Sequence, residues 1–252
     1  MKKLKVGFFA LTGCFGCLLS FLFNENELSA ILENIELKAF PFIKSENMKE
    51  GFDYIFLEGL VANHDDLENL KKIRKSCTYL VALGTCACTA CIPAIRNFIS
   101  KNKYAHLLYK KIDRIADIEP TPIDRWVKVD YYLPGCPPSE EEVLNFIKDI
   151  ALGKEPRLSL NPVCFDCRLN GNTCLLDEGK ICLGPITKAG CNAVCPSNGF
   201  ECYGCRGLSG DENIEAFIKM LEDRGFERKE IIQRLMTFIG IKFSNKYGMN
   251  LK

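Results

Sequence analysis

Residues 4–17, LKVGFFALTGCFGC, place a short apolar run directly before two cysteines in a C-x-x-C pair. A run of this length that contains β-branched and aromatic residues is typical of a buried strand. Similar runs recur along the first half of the chain, and the predicted strands are residues 4–11, 36–40, 53–58, 78–83 and 127–133.

Between these runs the apolar residues follow a helical period. The predicted helices are residues 17–33, 65–76, 92–101 and 139–151. Ser139, with Glu142 three residues later, is the predicted N-terminal capping box of the last helix. Strands that alternate with helices predict an α/β fold with a doubly wound, mostly parallel sheet.

Three predicted strands end at cysteines. Cys14 and Cys17 follow the first strand, Cys86 follows the fourth and Cys136 follows the fifth. Because ligands of such sheets collect beyond the carboxyl ends of the strands, we expect these four thiols to converge there. The alternative for the first pair is a thioredoxin-like redox site, which gives the other two thiols no role. Tandem prolines in GCPP, residues 135–138, predict a rigid turn that suits a preset ligand.

Cysteine is the one residue type with unusual abundance. The 252 residues include fifteen cysteines but only two histidines. The N-terminal sequence shows neither a twin-arginine pair nor a small-residue cleavage site, so we expect a cytoplasmic protein. Cytosolic thiols are kept reduced, and so many of them favour metal ligation over disulfides. All-thiolate ligand sets select iron–sulfur clusters or zinc, and both stay open at this point.

The charge balance excludes some partners. The chain has 33 basic and 32 acidic residues, for a formal net charge of +1, which gives no reason to expect nucleic acid or an anionic membrane surface. No apolar stretch approaches the roughly 20 residues of a membrane-spanning helix. We therefore expect neither a nucleic-acid nor a membrane partner.

The composition changes near residues 152–163, where GKEPRLSLNP is polar and resembles a linker. This predicts an N-terminal domain of residues 1–152 and a C-terminal domain of residues 153–252. Residues 164–210 hold eight cysteines and few apolar side chains, so metal binding should contribute to their stability. Two amphipathic helices, residues 211–224 and 228–239, are predicted to pack at the end of the chain.

Several segments carry a family resemblance, namely LTGCFGC at 11–17, FLEG at 56–59, ALGTCA at 82–87, YLPGCPP at 132–138 and CLGPITKAGCNAVCPSNGFECYGC at 182–205. Together they resemble the small subunit of NiFe hydrogenases, most closely the delta subunits of cytosolic types. The resemblance covers about residues 5–240. It implies a flavodoxin-like N-terminal domain and a small, irregular iron–sulfur C-terminal domain.

The resemblance also implies a function. The chain would conduct electrons between the nickel–iron site of a large subunit and a further acceptor subunit, flavin-binding or ferredoxin-like, without activating hydrogen itself. NAD(P), coenzyme F420, polysulfide and a heterodisulfide reductase all remain open as the terminal acceptor. One alternative is the cluster-bearing subunit of a quinone-linked complex, although such subunits lack the eight-cysteine extension. Another is a zinc-stabilised binding module without redox function.

The resemblance assigns ligands to three 4Fe-4S clusters. Cys164 stands where membrane-linked relatives have histidine, and Cys195 stands where relatives with a three-iron medial cluster have proline. The proximal set is Cys14, Cys17, Cys86 and Cys136, the medial set is Cys191, Cys195, Cys202 and Cys205, and the distal set is Cys164, Cys167, Cys174 and Cys182. Glu58 of FLEG would face the large subunit near the proximal cluster. Its alternative role is that of a solvated residue at a strand end.

Three cysteines remain outside these sets. Cys77, where a helix gives way to a strand, is expected to be a small buried hydrophobic residue. Cys88 and Cys91 follow Cys86 closely enough to compete with it for the proximal cluster, and the family match favours Cys86.

The two histidines, His64 and His106, lie in polar contexts and are expected at the surface.

Overall fold

The computed structural model describes residues 3–22, 32–33, 35–100 and 118–248. The strands are β1 (Leu4–Ala10), β2 (Ile35–Ala39), β3 (Phe52–Glu58), β4 (Cys77–Leu83) and β5 (Tyr131–Leu133). The α-helices are α1 (Gly16–Leu22), α2 (His64–Ser76), α3 (Gly84–Thr89), α4 (Glu140–Ala151), α5 (Val163–Leu169), α6 (Val194–Ser197), α7 (Ile214–Asp223) and α8 (Arg228–Tyr247). Short 3-10 helices cover Ile92–Phe98, Ile123–Arg125 and Gly184–Ile186.

A five-stranded sheet in the order β2-β1-β3-β4-β5 forms the centre of the N-terminal part. All its pairings are parallel, which confirms the predicted flavodoxin-like α/β fold. Ala10 pairs with Glu58, and Glu58 pairs with Leu83, so three strands end level with one another. Strand order reverses at β1, and the crevice at such a reversal is where ligands bind.

Hydrophobic side chains cover both faces of this sheet, as its predicted fully apolar strands require. On one face Phe8 is fully buried and stacks against Phe21, Phe40 and Phe56, with ring centroids 4.7, 4.8 and 4.9 Å apart. Burial of each such ring contributes about 1.5–3 kcal/mol. This packing fixes the sheet edge on which the cysteines lie.

The last strand is shorter than predicted. The expectation of a strand from residue 127 is wrong over 127–130, because the pairing with β4 begins only at Tyr131. The carboxylate of Asp130 accepts the N–H of Leu80 at 2.9 Å, and the N–H of Asp130 donates to the carbonyl of Leu80. A side-chain oxygen thus takes the place of the main-chain acceptor that a longer strand would supply.

The helix before the C-terminal part begins as predicted but without the predicted capping box. Ser139 precedes α4 and makes no side-chain capping hydrogen bond. Glu142 instead forms a bidentate pair with Arg206 at 2.6 and 2.8 Å, so its carboxylate is directed toward another part of the fold. The competing ion pair is the physical reason that the capping prediction fails.

Two other predicted helices differ in extent. The segment predicted over 92–101 is a 3-10 helix, Ile92–Phe98, and the residue before it, Cys91, has a positive φ of 50°. Of the helix predicted over 17–33, the structure has α1 at Gly16–Leu22, and residues 23–31 lie outside the described residues.

His64 begins α2 and is exposed as predicted, whereas His106 lies outside the described residues.

The two closing helices are present, and the second is longer than predicted. α8 continues to Tyr247, because Ile239, Ile241 and Phe243 extend its buried face and Gly248 ends it in a left-handed cap. Apolar residues of α7 and α8 form a core with side chains from the cysteine-rich segment, among them Leu183. In the described part of the chain, no helix is both long and apolar enough to cross a membrane.

Candidate metal centres

The proximal set lies beyond the carboxyl ends of β1, β4 and β5. The thiol of Cys17 is close to the thiols of Cys86, Cys136 and Cys14. Burial, followed by the Glu58 carboxylate and then by these thiols, raises the pKa of Cys17. Gly84, which begins α3 with φ +83°, leaves the space that the Cys17 sulfur occupies, since a Cβ there would overlap it. The structure therefore brings together four thiols from three separate stretches of sequence.

Glu58 lies beneath this set and is only 2% exposed. Its carboxylate accepts the N–H of Leu18 at 2.8 Å and further backbone N–H groups of Cys17 and Phe15. Burial raises the pKa of Glu58, and these donors partly oppose that effect. The alternative of a solvated strand-end residue is wrong for Glu58, because its buried carboxylate anchors the start of α1, which carries Cys17. Its role at a subunit interface stays a prediction.

A fifth thiol, Cys91, lies at the proximal set. Two consecutive left-handed residues, Ala90 and Cys91 with φ 64° and 50°, turn the chain back after α3. The Cys91 thiol hydrogen-bonds to Cys86 and Cys136, which lowers the pKa of Cys136 to about 7 and also lowers that of Cys86. The sequence predicts Cys91 only as a competitor of Cys86 for the proximal cluster, because its position as a fifth thiol at the proximal set depends on this turn.

The other two unassigned cysteines lie away from the proximal set. Cys88 is buried, and its thiol donates to the carbonyl of Ala82 at 3.6 Å. Burial raises the pKa of Cys88 to about 12. Cys77 begins β4 and is half-buried beside Arg74.

The distal set is gathered around α5, which carries Cys164 and Cys167. Burial, followed by the neighbouring thiols of Cys182, Cys167 and Cys174, raises the pKa of Cys164 to about 12. A Cβ at Gly184 would lie 3.1 Å from the Cys164 sulfur and 3.6 Å from the Cys182 sulfur, so glycine leaves room for both.

The medial set lies between the other two. Cys205 is near Cys191 and Cys195, and burial raises the pKa of Cys205 to about 11. Cys202 is near Cys205 and also near Cys182 of the distal set. A cavity of about 1230 Å³ is lined by all four medial cysteines together with Cys136 of the proximal set.

Arg206, next to Cys205, is a functional candidate that the sequence does not single out. It is 2% exposed and joins the two parts of the chain, donating to the carbonyls of Pro134 at 2.6 Å and Ala189 at 2.8 Å while pairing with Glu142. The sequence does not indicate this role, because an arginine next to a cysteine is not a pattern that predicts a contact between distant parts of the chain.

The donor chemistry of these sets fits iron–sulfur clusters. Among the described residues, no three His, Cys, Asp or Glu side chains are placed to hold a single metal ion. Each set offers four soft sulfur donors, the ligands that iron–sulfur clusters use. Polar hydrogens already point at several of these sulfurs, such as Gly16 N–H at 3.4 Å from Cys14 and the Asn172 amide at 3.6 Å from Cys167. Such donors stabilise the negative charge of ligating thiolates.

The chain is similar to known hydrogenase subunits. A family model described as NADH ubiquinone oxidoreductase, 20 Kd subunit, matches residues 14–150. Sulfhydrogenase 2 subunit delta of Pyrococcus furiosus is 39% identical over 236 residues, 93% of this chain and 99% of that protein. The NAD-reducing hydrogenase HoxS subunit delta of Cupriavidus necator is 29% identical over 168 residues, 60% of this chain and 80% of that protein.

A solved structure, the NAD+-reducing NiFe-hydrogenase in the H2-reduced state, matches with a TM-score of 0.55 and 31% identity over 62% of this chain and 95% of that one. The quinone-linked alternative is not favoured, because the likeness to hydrogenase subunits extends through the cysteine-rich segment that the family model leaves unmatched. The chain is thus an oxidoreductase component, and it belongs to the family of small subunits of nickel–iron hydrogenases.

Proposed function

We propose that this chain conducts electrons between the nickel–iron site of a large subunit and a further acceptor subunit through three 4Fe-4S clusters. The observation that supports the proposal is the proximity of the cysteines: Cys17 is near the other proximal cysteines, Cys164 is near the other distal cysteines, and Cys202 is near both Cys205 and Cys182. A four-iron cluster bound by each set would accept and release single electrons.

The residues of the chain prepare these sets to bind iron. Burial and the mutual proximity of the thiols raise the pKa values of Cys164 and Cys205 to about 12 and about 11, so these thiols stay protonated without a metal cation. Metal binding must therefore release protons, and it couples to the folding of the surrounding loops. Backbone N–H groups directed at the sulfurs stabilise the negative charge that the bound state carries.

The large subunit is proposed to dock at the sheet edge. Cys14 and Cys136 are exposed there, while Glu58 beneath them is buried. Phe15 and Ile92 add exposed apolar surface next to the proximal set. An exposed thiol set surrounded by apolar side chains is the surface that a partner holding the hydrogen-activating site would cover.

The acceptor subunit, flavin-binding or ferredoxin-like, is proposed to dock near the distal set. Phe165 and Leu169 lie on α5 beside Cys164 and Cys167, and both are exposed. Electrons that leave the row at this end would cross to a partner covering these side chains. So many cysteines available as metal ligands are typical of a compartment that keeps thiols reduced, which supports assembly in the cytoplasm.

Spectroscopy and metal analysis of the purified chain test the proposal. We expect a brown protein with about twelve iron atoms per chain, since each cluster holds four, and signals of reduced 4Fe-4S clusters in electron paramagnetic resonance (EPR). We also expect no hydrogen oxidation by the isolated chain. A colourless protein containing zinc would refute the proposal.

Hydrogen exchange tests the docking of the large subunit separately. In the assembled complex, the segments at residues 12–18 and 84–91, which include the start of α1 and all of α3, should exchange more slowly than in the isolated chain. Equal exchange in both states would exclude docking at this edge.

A further inference from the structure

The proximal and medial sets are joined by a hydrogen bond between their own cysteines. The backbone N–H of Cys136 donates to the sulfur of Cys205. A second bond of the same kind joins the next pair of sets, because the N–H of Cys202 donates to the sulfur of Cys182 at 3.3 Å. Each neighbouring pair of sets is therefore connected through one ligand residue that donates to a ligand of the next set.

Thr85 contacts both sides of the first of these bonds. Its hydroxyl donates to the carbonyl of Cys205 at 2.5 Å, and its backbone N–H donates to the carbonyl of Gly135 at 2.9 Å. Thr85 is 1% exposed, and it directly precedes Cys86, a member of the proximal set. One buried residue thus ties the Cys205 loop to the loop that carries Cys136.

Arg206 holds the same two loops from the other side. Its guanidinium donates to the carbonyl of Pro134, two residues before Cys136, and Glu142 fixes that guanidinium by a bidentate pair. The main chain at Cys205 is consequently anchored by Thr85 and Arg206, which sets the position from which its side chain reaches the Cys136 N–H.

We propose that Thr85 is a positioning residue for electron transfer between the proximal and medial sets, acting by holding the Cys205 sulfur on the Cys136 N–H. The proposal rests on the proposed function. In this step the site at the proximal set loses one electron and is oxidised. The site at the medial set gains that electron and is reduced, and no bond or proton moves. An N–H directed at a ligand sulfur stabilises the more negative, reduced state, so this bond raises the medial reduction potential.

The threonines of α3 supply matched variants. Thr85→Val removes the hydroxyl and nearly keeps the shape, Thr85→Ala removes it with less bulk, and Thr85→Ser keeps it. Thr89→Val is the control, because the Thr89 hydroxyl also ties α3 to the C-terminal part, donating to the carbonyl of Phe238 at 2.7 Å. It bonds to the main-chain carbonyl of Thr85 at 3.1 Å as well, so the control loosens α3 while the Thr85 hydroxyl that holds Cys205 stays in place.

The test is a redox titration of the assembled hydrogenase complex, followed by EPR, with iron measured in every variant. In Thr85→Val and Thr85→Ala the medial potential should shift downward, while Thr85→Ser and Thr89→Val should match the wild type. Coupling of exchangeable protons to the medial site should weaken in the same two variants, while the distal potential stays unchanged.

The outcomes separate the two proposals. A wild-type complex in which this chain holds no iron would refute the proposed function. If the wild-type complex is loaded with iron, and both Thr85→Val and Thr85→Ala have the same medial potential as the wild type, only the positioning role is overturned. An equal shift in Thr89→Val would overturn it as well, because any loosened contact of α3 would then have the same effect.

Discussion

Replacing Arg206 by glutamine should destabilise the protein more than the same replacement of an exposed arginine in the C-terminal part. The side chains of Arg206 and Glu142 are 1% and 10% exposed, and they are joined at 2.6 Å. Removing the cation leaves a buried carboxylate without its partner, which costs about 3–5 kcal/mol. For a chain of this size, that cost lowers the melting temperature by roughly 6–20 °C.

Arg224→Gln is the matched control. Arg224 pairs with Asp177 at 3.1 Å, but their side chains are 38% and 68% exposed. An exposed pair of this kind contributes about 0–1 kcal/mol, so the control should melt within about 4 °C of the wild type. Thermal unfolding followed by circular dichroism at equal iron content gives both values. Equal melting temperatures of the two variants would refute the account of Arg206 as the link between the parts of the chain.

The same variant predicts a pH dependence. Burial raises the pKa of Glu142, and Arg206 is the main group that opposes this effect. In Arg206→Gln the pKa of Glu142 in the folded state should rise further above its value in the unfolded chain. The folded state then binds a proton more readily than the unfolded state, so stability is lost as pH rises through that raised pKa. The deficit relative to the wild type should be smaller in mild acid, and a deficit that does not depend on pH would contradict this explanation.

Three further predictions concern the cysteines. Cys195→Ala should convert the medial site to a three-iron form, because it removes one exposed thiolate and leaves the rest of the set. EPR of the oxidised protein should show the three-iron signal. An unchanged spectrum with full iron content would mean that Cys195 is not a ligand. Cys91→Ala should keep the full iron content but shift the proximal potential, since its thiol only hydrogen-bonds to Cys86 and Cys136; loss of iron would make it a ligand. Removal of iron by a chelator should make the loops around Cys202 sensitive to proteolysis while the sheet stays protected, because metal binding there couples to folding; equal protection in both forms would contradict that coupling.

The fold could be predicted because its signals are local. Apolar runs of strand length recur between helical segments, and the sheet that they form is parallel, as expected. The fourth strand, predicted over 78–83, differs by one residue from the observed Cys77–Leu83. The fifth strand was harder because its start depends on the Asp130 side chain bonding to Leu80, a contact between distant residues that periodicity does not report.

The convergence of the four strand-end cysteines could be predicted, but not the contacts that other residues make with them. Cys14, Cys17, Cys86 and Cys136 follow strand ends, so their convergence is a consequence of sheet geometry. The position of Cys91 depends on left-handed residues after α3, and a sequence does not reveal that non-glycine residues adopt this conformation.

The tandem prolines of YLPGCPP acquire a second role from the structure. Neither Pro137 nor Pro138 has a backbone N–H, so this turn has no donor after Cys136 until Ser139. The N–H of Cys136 precedes both prolines, and it donates to the Cys205 sulfur. A turn with further free donors would have to satisfy each of them with protein groups or water at the same place. The prolines therefore do more than hold a ligand rigidly: they add no N–H of their own next to the Cys136 donor, which belongs to a residue whose own sulfur lies in the proximal set.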